Sequence, residues 1–218
     1  MATRTSPVLR QHIAALRTLL LLTAILGLAY PLAMTGFAQV AFNHNANGSL
    51  LLRNGKTVGS SLIGQGFTIP ILKNGQPTKD ASGNPVVVAD PRYFQSRPSA
   101  AGQGYDPTAS GASNLGPNST VLIAQINTRR ANAAKLDGVN PTQVPPDALL
   151  ASGSGLDPDI SPAYAAEQIP RIARVRGLSQ AQVRTLVAAN TKGRTLGFLG
   201  EPRVNVLDLN LALDALNH

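Results

Sequence analysis

A long apolar stretch near the N-terminus is the first feature of the hydrophobic pattern. No charged residue occurs from Thr18 to Phe42, and a helix of about 20 apolar residues crosses a hydrocarbon core of about 30 Å. The pattern therefore predicts a transmembrane helix over residues 18–42, preceded by a basic leader over residues 1–17.

The charges before this stretch predict its orientation. Arg4, Arg10 and Arg17 precede it with no acidic residue among them, and such positive residues are held on the cytoplasmic side. We therefore expect a cytoplasmic leader and an extracytoplasmic domain over residues 43–218. A cleaved signal peptide is the alternative, because small residues precede Gln39 as they do at a cleavage site. Both alternatives export the domain.

Small residues and a proline interrupt the predicted transmembrane helix. Gly27, Pro31 and Gly36 would weaken a helix in water, but membrane helices tolerate them where neighbouring helices satisfy the freed backbone groups. Small side chains also let two helices approach closely. These three residues are therefore candidate contacts with a membrane-embedded partner.

Two β-hairpins are predicted in the first half of the domain. Asn54-Gly55 lies between two short β-type segments, and this dipeptide suits turns in which both residues need a positive φ. Residues 68–90 form an excursion, in which the polar, turn-rich stretch Lys73–Pro85 precedes the β-branched run Val86–Val88. We expect an excursion or a hairpin there.

Helical spacing and capping residues predict two helices in the middle of the domain. Ser119 can cap a helix that continues to Leu136, with Gly138 as its stop. Ser161, followed by Pro162, can cap a second helix. Pro170 lies inside that second helix and should kink or split it.

The C-terminal part predicts two further helices and a strand. Ser179 and Gln182 form a capping-box pattern. Val204 and Val206 indicate a short strand, after which Asp208 can cap a Leu-rich terminal helix. The mixture of hairpins and helices predicts an α+β exported domain preceded by a single N-terminal transmembrane helix.

Composition narrows the chemistry that this domain can perform. The chain contains 20 Gly and 16 Pro but no Cys or Trp, which predicts many turns and excludes disulfides, thiolate catalysis and Cys-ligated metals. Its net charge is +8, but the basic residues are scattered and few aromatic residues accompany them. We therefore predict no binding of nucleic acid.

Two loop regions offer the candidate interaction surfaces of the domain. Residues 92–118 and 151–162 are rich in Gly, Ser, Pro and Asn and contain few residues that could fill a core. Their candidate partner contacts, together with one arginine near the C-terminus, are Arg97, Ser99, Asn114, Gly116, Asn118, Ser152, Gly153, Ser154, Asp157, Asp159 and Arg203.

No constellation of residues predicts catalysis. Histidine occurs only at positions 12, 44 and 218, which argues against a His-based triad or a His-rich metal site. Asp157 and Asp159 suit capping of backbone N–H groups better than acid–base catalysis. The run Ser152–Gly155 could cradle a phosphate, but no Lys and Ser/Thr pair follows it, so a turn is the better interpretation. We predict no catalytic, cofactor-binding or metal-binding residue in this chain.

Seven motifs together resemble one family, the C subunit of the Kdp potassium-transporting ATPase. They are YPLAMTGFAQ at 30–39, NGSL at 47–50, GSSLIGQGF at 59–67, YFQSRPSA at 93–100, YDPTASGASNLGPNS at 105–119, ASGSGLDPDISP at 151–162 and FLGEPRVNVLDLNLALD at 198–214. Residues 68–90 depart from the family pattern as an insertion, and FNHNANGSL at 42–50 also differs from it.

The resemblance implies a non-catalytic subunit of a potassium-import complex, with a retained single-pass span in the cell inner membrane. Its implied partners are a channel-like potassium-translocating subunit, a P-type ATPase subunit, a very small single-span subunit and membrane lipid. The complex would use ATP, Mg and potassium, with hydrolysis carried by a partner. We expect this chain to assemble the complex and cover the outer ion entrance. One alternative is a modulator of the ATP affinity of the catalytic subunit, which the predicted topology disfavours because it separates the domain from the cytoplasm. The other is a free exported binding domain with a cleaved signal peptide.

Overall fold

The computed structural model describes residues 6–216, which divide into a unit that ends at Leu50 and a unit that begins at Leu51. Arg4 of the leader and His218 at the chain end lie outside the described residues. Each unit is described separately below.

The first unit is dominated by one apolar helical run. It consists of α1 (Pro7–Ala24), a π-helical turn (Ile25–Ala29) and α2 (Tyr30–Ala41). Within the described residues, Pro7–Ala41 is the one helix long and apolar enough to cross a membrane, with a mean hydropathy of 2.0 over an 18-residue window. The run begins well before Thr18, because the Ser6 hydroxyl caps it by accepting from the Leu9 amide. A short helix, α3 (Asn43–Ala46), follows.

The π-helical turn explains how the helix passes through Pro31. A proline ring crowds the carbonyl four residues earlier, here that of Gly27. The turn is widened immediately before the proline, where the Tyr30 amide donates to the Ile25 carbonyl, five residues back. Wide turns of this kind occur frequently at functional positions of helices. Gln39, where the alternative prediction placed signal cleavage, lies inside α2.

Short strands and four longer helices build the second unit. The described strands are β1 (Leu50–Arg53), β2 (Lys56–Ser60), β3 (Thr68–Pro70), β4 (Leu72–Lys73), β5 (Gln76–Pro77), β6 (Val87–Ala89), β7 (Asp159–Ile160), β8 (Thr191–Lys192) and β9 (Arg203–Asn205). The helices are α4 (Thr120–Asp137), α5 (Pro162–Arg176), α6 (Gln180–Ala189) and α7 (Val206–Ala215). The predicted α+β composition is confirmed.

Both predicted hairpins are present. β1 and β2 pair across the turn at Asn54 and Gly55, whose φ angles are 51° and 75°. In the excursion, β3 pairs antiparallel with β6, and β4 pairs with β5 inside that ladder. The fourth sheet has three strands and is antiparallel, with β9 in its centre between β7 and β8.

The predicted caps of three helices are confirmed. The Ser119, Ser161 and Ser179 hydroxyls accept from amides in the first turns of α4, α5 and α6, and the last of these is a full capping box. Gly138 ends α4 in the left-handed conformation, with φ of 71°. These signals are local, so the sequence alone is sufficient to locate them.

Two predictions about helices need correction. Pro170 does not split α5, which is continuous from Pro162 to Arg176; a kink at Pro170 stays a prediction. Pro170 lies on the exposed side while Ile169 and Ile172 are buried, so the core packs against the helix on both sides of the proline. The terminal helix is capped by Asn205 and not by Asp208, because α7 begins at Val206 and the Asn205 side chain accepts from the Asp208 amide.

The core lies between the central three-stranded sheet and the helices α4 to α7. Its buried residues are Phe94, Ala133, Ala134, Val144, Ala148, Leu149, Ile160, Tyr164, Ala165, Ile169, Ile172, Ala173, Val183, Val187, Val204, Val206, Leu209 and Leu213. Phe94 is fully buried, as is Ala101. They are the two buried residues of 92–118, which agrees with the prediction that this stretch contains few residues able to fill a core.

Candidate functional site

An extended segment, Tyr93–Gln95, passes through the core without belonging to any strand of the described chain. Its backbone is bound by side chains instead. The Asn210 amide group accepts a hydrogen bond from the Phe94 N–H (2.9 Å) and donates one to the Phe94 carbonyl (3.0 Å). Asn210 is itself buried, so one side chain from α7 takes the place of a neighbouring strand.

Helix α5 binds the same segment from another direction. The Gln168 side chain accepts from the Gln95 N–H (2.6 Å) and donates to the Gln95 carbonyl (3.2 Å). The Arg171 guanidinium donates to the carbonyls of Pro91 (2.6 Å) and Tyr93 (2.9 Å). We call Asn210, Gln168 and Arg171 the backbone clamp.

A buried ion pair orients the arginine of the clamp. Arg171 Nε lies 2.7 Å from Asp137 Oδ1, and the two side chains are 1% and 0% exposed. Burial raises the pKa of the Asp137 carboxyl, and the charge of Arg171 opposes that shift. A pair this deep serves mainly to fix geometry, because its attraction is offset by the cost of removing both charges from water.

A second carboxyl lies beside this pair. Burial raises the pKa of Glu167 to about 7, and the negative charges of Asp137 and Asp147 add to the shift. Glu167 Oε1 is buried and, within the described residues, has no hydrogen-bond partner. The neutral form of Glu167 is therefore the better accommodated one.

Asp214 near the end of α7 connects three other parts of the domain. Its carboxylate binds Arg176 at 2.7 Å and also binds Arg53 of β1, while the Tyr93 hydroxyl donates to it at 3.2 Å. Burial alone would raise the pKa of Asp214, but the hydrogen bonds from Arg176 and Arg53 lower it overall. Arg176 also lies over the Tyr93 ring, 4.6 Å from its centroid.

A cavity of about 270 Å³ opens beside this cluster. Arg53, Asp214 and Tyr93 line one end, and Phe67 and Asp90 line another part. The carboxylate of Asp90 is bound by Arg92 at 2.7 Å, and this hydrogen bond lowers the pKa of Asp90. Both carboxylates therefore have arginine partners. Among the described residues, no group of three or more His, Asp or Glu side chains is arranged to hold a metal ion.

The two predicted loop surfaces bind each other. Arg97 Nη1 lies 2.8 Å from Asp157 Oδ2, and the Ser99 hydroxyl donates to the Gly155 carbonyl at 2.6 Å. The Gly111 amide donates to the Ser154 carbonyl at 2.8 Å. We call residues 97–118 together with 151–157 the loop pair. Several candidate contact residues therefore have partners within the chain.

A glycine and a tyrosine hold the loop pair at close range. Gly155 has φ of 69°, and a Cβ at this position would lie 2.7 Å from the Ala101 backbone nitrogen, so only glycine fits without a shift. The Tyr105 hydroxyl donates to the Arg97 carbonyl. Burial raises the pKa of Tyr105 to about 12, so this donor stays protonated in the physiological range.

The run Ser152–Gly155 contains a turn, as predicted. The Gly155 amide donates to the Ser152 carbonyl, and the Leu156 amide donates to the Ser154 hydroxyl. These N–H groups are therefore used within the turn. Asp157 likewise accepts from the Asp159 amide at 3.0 Å, which agrees with the predicted capping role and not with a catalytic pair.

The remaining candidate residues fall into two groups. Arg203 pairs with Asp159 at 3.1 Å and links β9 to β7. Exposed backbone and side chains remain on the outer side of the loop pair, at Asn114, Gly116, Asn118, Gly153 and Ser154.

The three candidates in the apolar helical run belong to the first unit. Gly27 lies in the π-helical turn, while Pro31 and Gly36 lie in α2. A Cβ at Gly36 would meet nothing within 4 Å.

Sequence reasoning missed the backbone clamp and the Asp214 cluster. One signal was available: Asn210 and Asp214 are four residues apart on a Leu-rich helix, so both lie on one face among apolar side chains. Polar residues in that position need buried partners. Arg53 and Arg176, the partners of Asp214, gave no such signal.

Comparison with known proteins gives matches over nearly the whole chain. A family profile described as KdpC, K+-transporting ATPase, c chain, matches residues 12–215. A protein of Kineococcus radiotolerans named Potassium-transporting ATPase KdpC subunit is 51% identical, covering 94% of this chain and 93% of the relative. The proteins of that name in Caulobacter vibrioides and Streptomyces avermitilis are 50% and 47% identical, and the alignments cover 92% and 93% of this chain and 91% and 92% of those relatives.

Proposed function

The chain belongs to the KdpC family of potassium-transporting ATPase subunits, and we propose that it assembles that complex without performing catalysis itself. In this proposal the apolar helix Pro7–Ala41 spans the inner membrane with its N-terminus in the cytoplasm. The second unit then lies on the extracytoplasmic side and covers the outer ion entrance of a channel-like subunit. A P-type ATPase subunit, using ATP and Mg, performs the hydrolysis, and a very small single-span subunit completes the complex.

The internal pairing of the loop pair is the observation that carries this proposal. The Arg97–Asp157 ion pair and the close approach of Gly155 to Ala101 hold two long loops in one conformation. A surface that is ordered before binding loses less conformational entropy when a partner docks. The loops therefore form a prepared surface, although they contain little regular secondary structure.

The chemistry of the exposed side suits a protein partner. Gly116 and Gly153 expose backbone groups, and Asn114 and Asn118 add amide side chains beside them. Amide and backbone groups can both donate and accept hydrogen bonds, which fixes the register of an interface. The candidate residues with partners inside the chain, such as Arg97 and Asp157, then support this surface from behind.

Bulky substitutions on the exposed glycines test the proposal. A Cβ at Gly116 or Gly153 would meet nothing within 4 Å, and neither residue has a positive φ, so Gly116→Arg and Gly153→Arg should fold normally. Both variants should lose co-purification of the channel-like subunit and should reduce potassium uptake. The melting temperature of the isolated chain should stay unchanged.

Ser82→Arg is the matched control, because Ser82 is exposed on the β3–β6 excursion and receives the same charge. It should assemble and support uptake like the parent chain. If both glycine variants assemble and transport normally, the loop pair is not the interface.

A further inference from the structure

The connection between β8 and β9 presents an unusual apolar surface. Residues 196–200 (LGFLG), which we call the apolar tip, contain no polar side chain. Leu196, Phe198 and Leu199 are 79%, 68% and 49% exposed. Scattered single apolar residues are ordinary on protein surfaces, whereas three within four positions form a patch that needs an occupant.

The apolar tip is held in a defined conformation. Thr195 and Leu199 exchange two backbone hydrogen bonds of 2.9 Å, and the Arg194–Glu201 ion pair of 2.6 Å lies at the base. Leu196 has a φ of 55°, a conformation that costs free energy for a residue other than Gly, Asn or Asp. The loop therefore displays its large side chains outward at an energetic cost.

The backbone of the tip is already satisfied within the loop. The amides of Gly197 and Phe198 donate to the carbonyls of Arg194 and Thr195. Together with the two hydrogen bonds between Thr195 and Leu199, these bonds pair most of the N–H groups that an apolar environment would otherwise leave without a partner. Unsatisfied backbone groups are the main obstacle to placing a loop among lipid chains.

We propose that the apolar tip inserts into the surface of the lipid bilayer. A protein–protein interface as small as this tip would use polar groups to fix the alignment of the two surfaces, and the tip has no polar side chain. The short connection supports a lipid occupant as well, because only residues 42–50 join the second unit to the apolar helix that we propose to span the membrane. Leu and Phe beside Lys and Arg are the residues that interfacial segments use. Lys192 and Arg194 flank the tip and pair with Asp208 and Glu201.

Lipid-borne quenching measures this insertion in the full chain. The chain contains no cysteine, so Phe198→Cys gives a single site for an environment-sensitive fluorophore. The labelled full-length protein is placed, one chain per disc, in nanodiscs whose lipids carry a nitroxide on the upper acyl chain. Val121→Cys is the matched control, because Val121 is 55% exposed at the start of α4. The probe at 198 should lose most of its fluorescence, and the probe at 121 should lose little.

A second variant and two further outcomes keep the test decisive. Adding Leu199→Asp to the labelled Phe198→Cys chain should restore most of the fluorescence, since a charge opposes entry into lipid. An unquenched probe at 198 overturns the proposal. Protection of the probe only after the channel-like subunit is added also overturns it, because the tip would then be a protein contact. Protection only when two chains share a disc overturns it as well, because the tip would then be a contact between copies. The test does not involve the loop pair, so its result is independent of the assembly function proposed above.

Discussion

Asn210, Gln168 and Arg171 are polar residues that fill positions in the core, and each is bound to backbone groups. Their partners lie 116, 73 and about 80 positions away along the chain. Because no local pattern connects such distant residues, the sequence predicted the segment Tyr93–Gln95 as an open loop. The clamp shows why a turn-rich region can nevertheless contain the fully buried Phe94.

Removing the clamp arginine should destabilise the second unit strongly. Arg171→Ala leaves Asp137 as a buried, unpaired charge and removes the donors to two carbonyls. We expect a loss of about 3–5 kcal/mol in the free energy of unfolding. The measurement is chemical denaturation of the detergent-solubilised chain, followed by the near-ultraviolet signal of its tyrosines.

Two further variants separate charge burial from other effects. Arg174→Ala changes an exposed arginine of the same helix and should stay within about 0.5 kcal/mol of the parent. The double variant Arg171→Met with Asp137→Leu should recover part of the loss, because no buried charge remains. An Arg171→Ala chain as stable as the parent would show that the pair does not hold the domain together.

Glu167 should make the stability of the second unit depend on pH. Its pKa is raised to about 7 from the ordinary 4.5 in the folded chain, so the folded state favours the protonated form. The contribution of Glu167 to stability should therefore be highest below about pH 4.5 and decline as the pH rises towards 7, whereas the lowered pKa values of Asp90 and Asp214 act in the opposite direction at lower pH. Glu167→Gln mimics the protonated form and should be more stable than the parent at pH 8.

The difference in melting temperature between the parent and Glu167→Gln separates the effect of Glu167 from that of the other carboxyls. Thermal melts should show a larger difference in melting temperature between the parent and Glu167→Gln at pH 8 than at pH 5, because Glu167 is ionised at pH 8. Other titrating groups contribute to both proteins and therefore cancel. A gap of equal size at both pH values would mean that Glu167 is ionised equally easily in the folded and unfolded chain.

At the scale of elements, the sequence was most informative where the signal is local. The serine caps of α4, α5 and α6 and the Asn54-Gly55 turn each depend on residues within a few positions. The cap of α7 was misplaced because Asn205 and Asp208 are both suitable residues, and pairing of β9 extends to Asn205. That pairing is a tertiary contact, which decides where the helix can begin.

The β4–β5 hairpin should be dispensable. The Ile71 amide donates to the Val86 carbonyl and so continues the β3–β6 ladder, which positions these two residues for a two-residue turn. Replacing residues 72–85 with Asn-Gly should preserve the ladder. We expect unfolding within about 0.5 kcal/mol of the parent and normal assembly with the channel-like subunit. Loss of assembly in a stably folded variant would show that the insertion contacts a partner.

For the whole molecule, hydropathy predicted one apolar helix followed by an α+β domain, and the structure has both. The arrangement of the strands could not be predicted, because β9 pairs with β7 and β8 from separate parts of the chain. The loop pair was predicted as an interaction surface, and its partner contacts stay a prediction. Its internal pairing depends on Arg97 and Asp157, 60 positions apart, which composition alone does not reveal.

The last prediction concerns the apolar helix, which we expect to be a specific packing element. Lipid chains are as apolar as leucine, so helices associate in a bilayer through close van der Waals contact and polar groups. Gly36 offers close approach, and a Cβ added there meets nothing within 4 Å. A loss of binding on Gly36→Leu, with the melting temperature of the isolated chain unchanged, would therefore indicate a contact with another subunit.

Gly36→Leu should weaken co-purification of the channel-like subunit by at least about 1 kcal/mol, measured as the fraction bound across a detergent titration. Leu20→Ile is the control, because Leu20 is 60% exposed in the leucine-rich first half of the helix, where an isomeric side chain changes little. Equal assembly by both variants would contradict the prediction. So would full potassium uptake by a chain whose helix is replaced with an unrelated poly-leucine span, since the helix would then serve only as a tether.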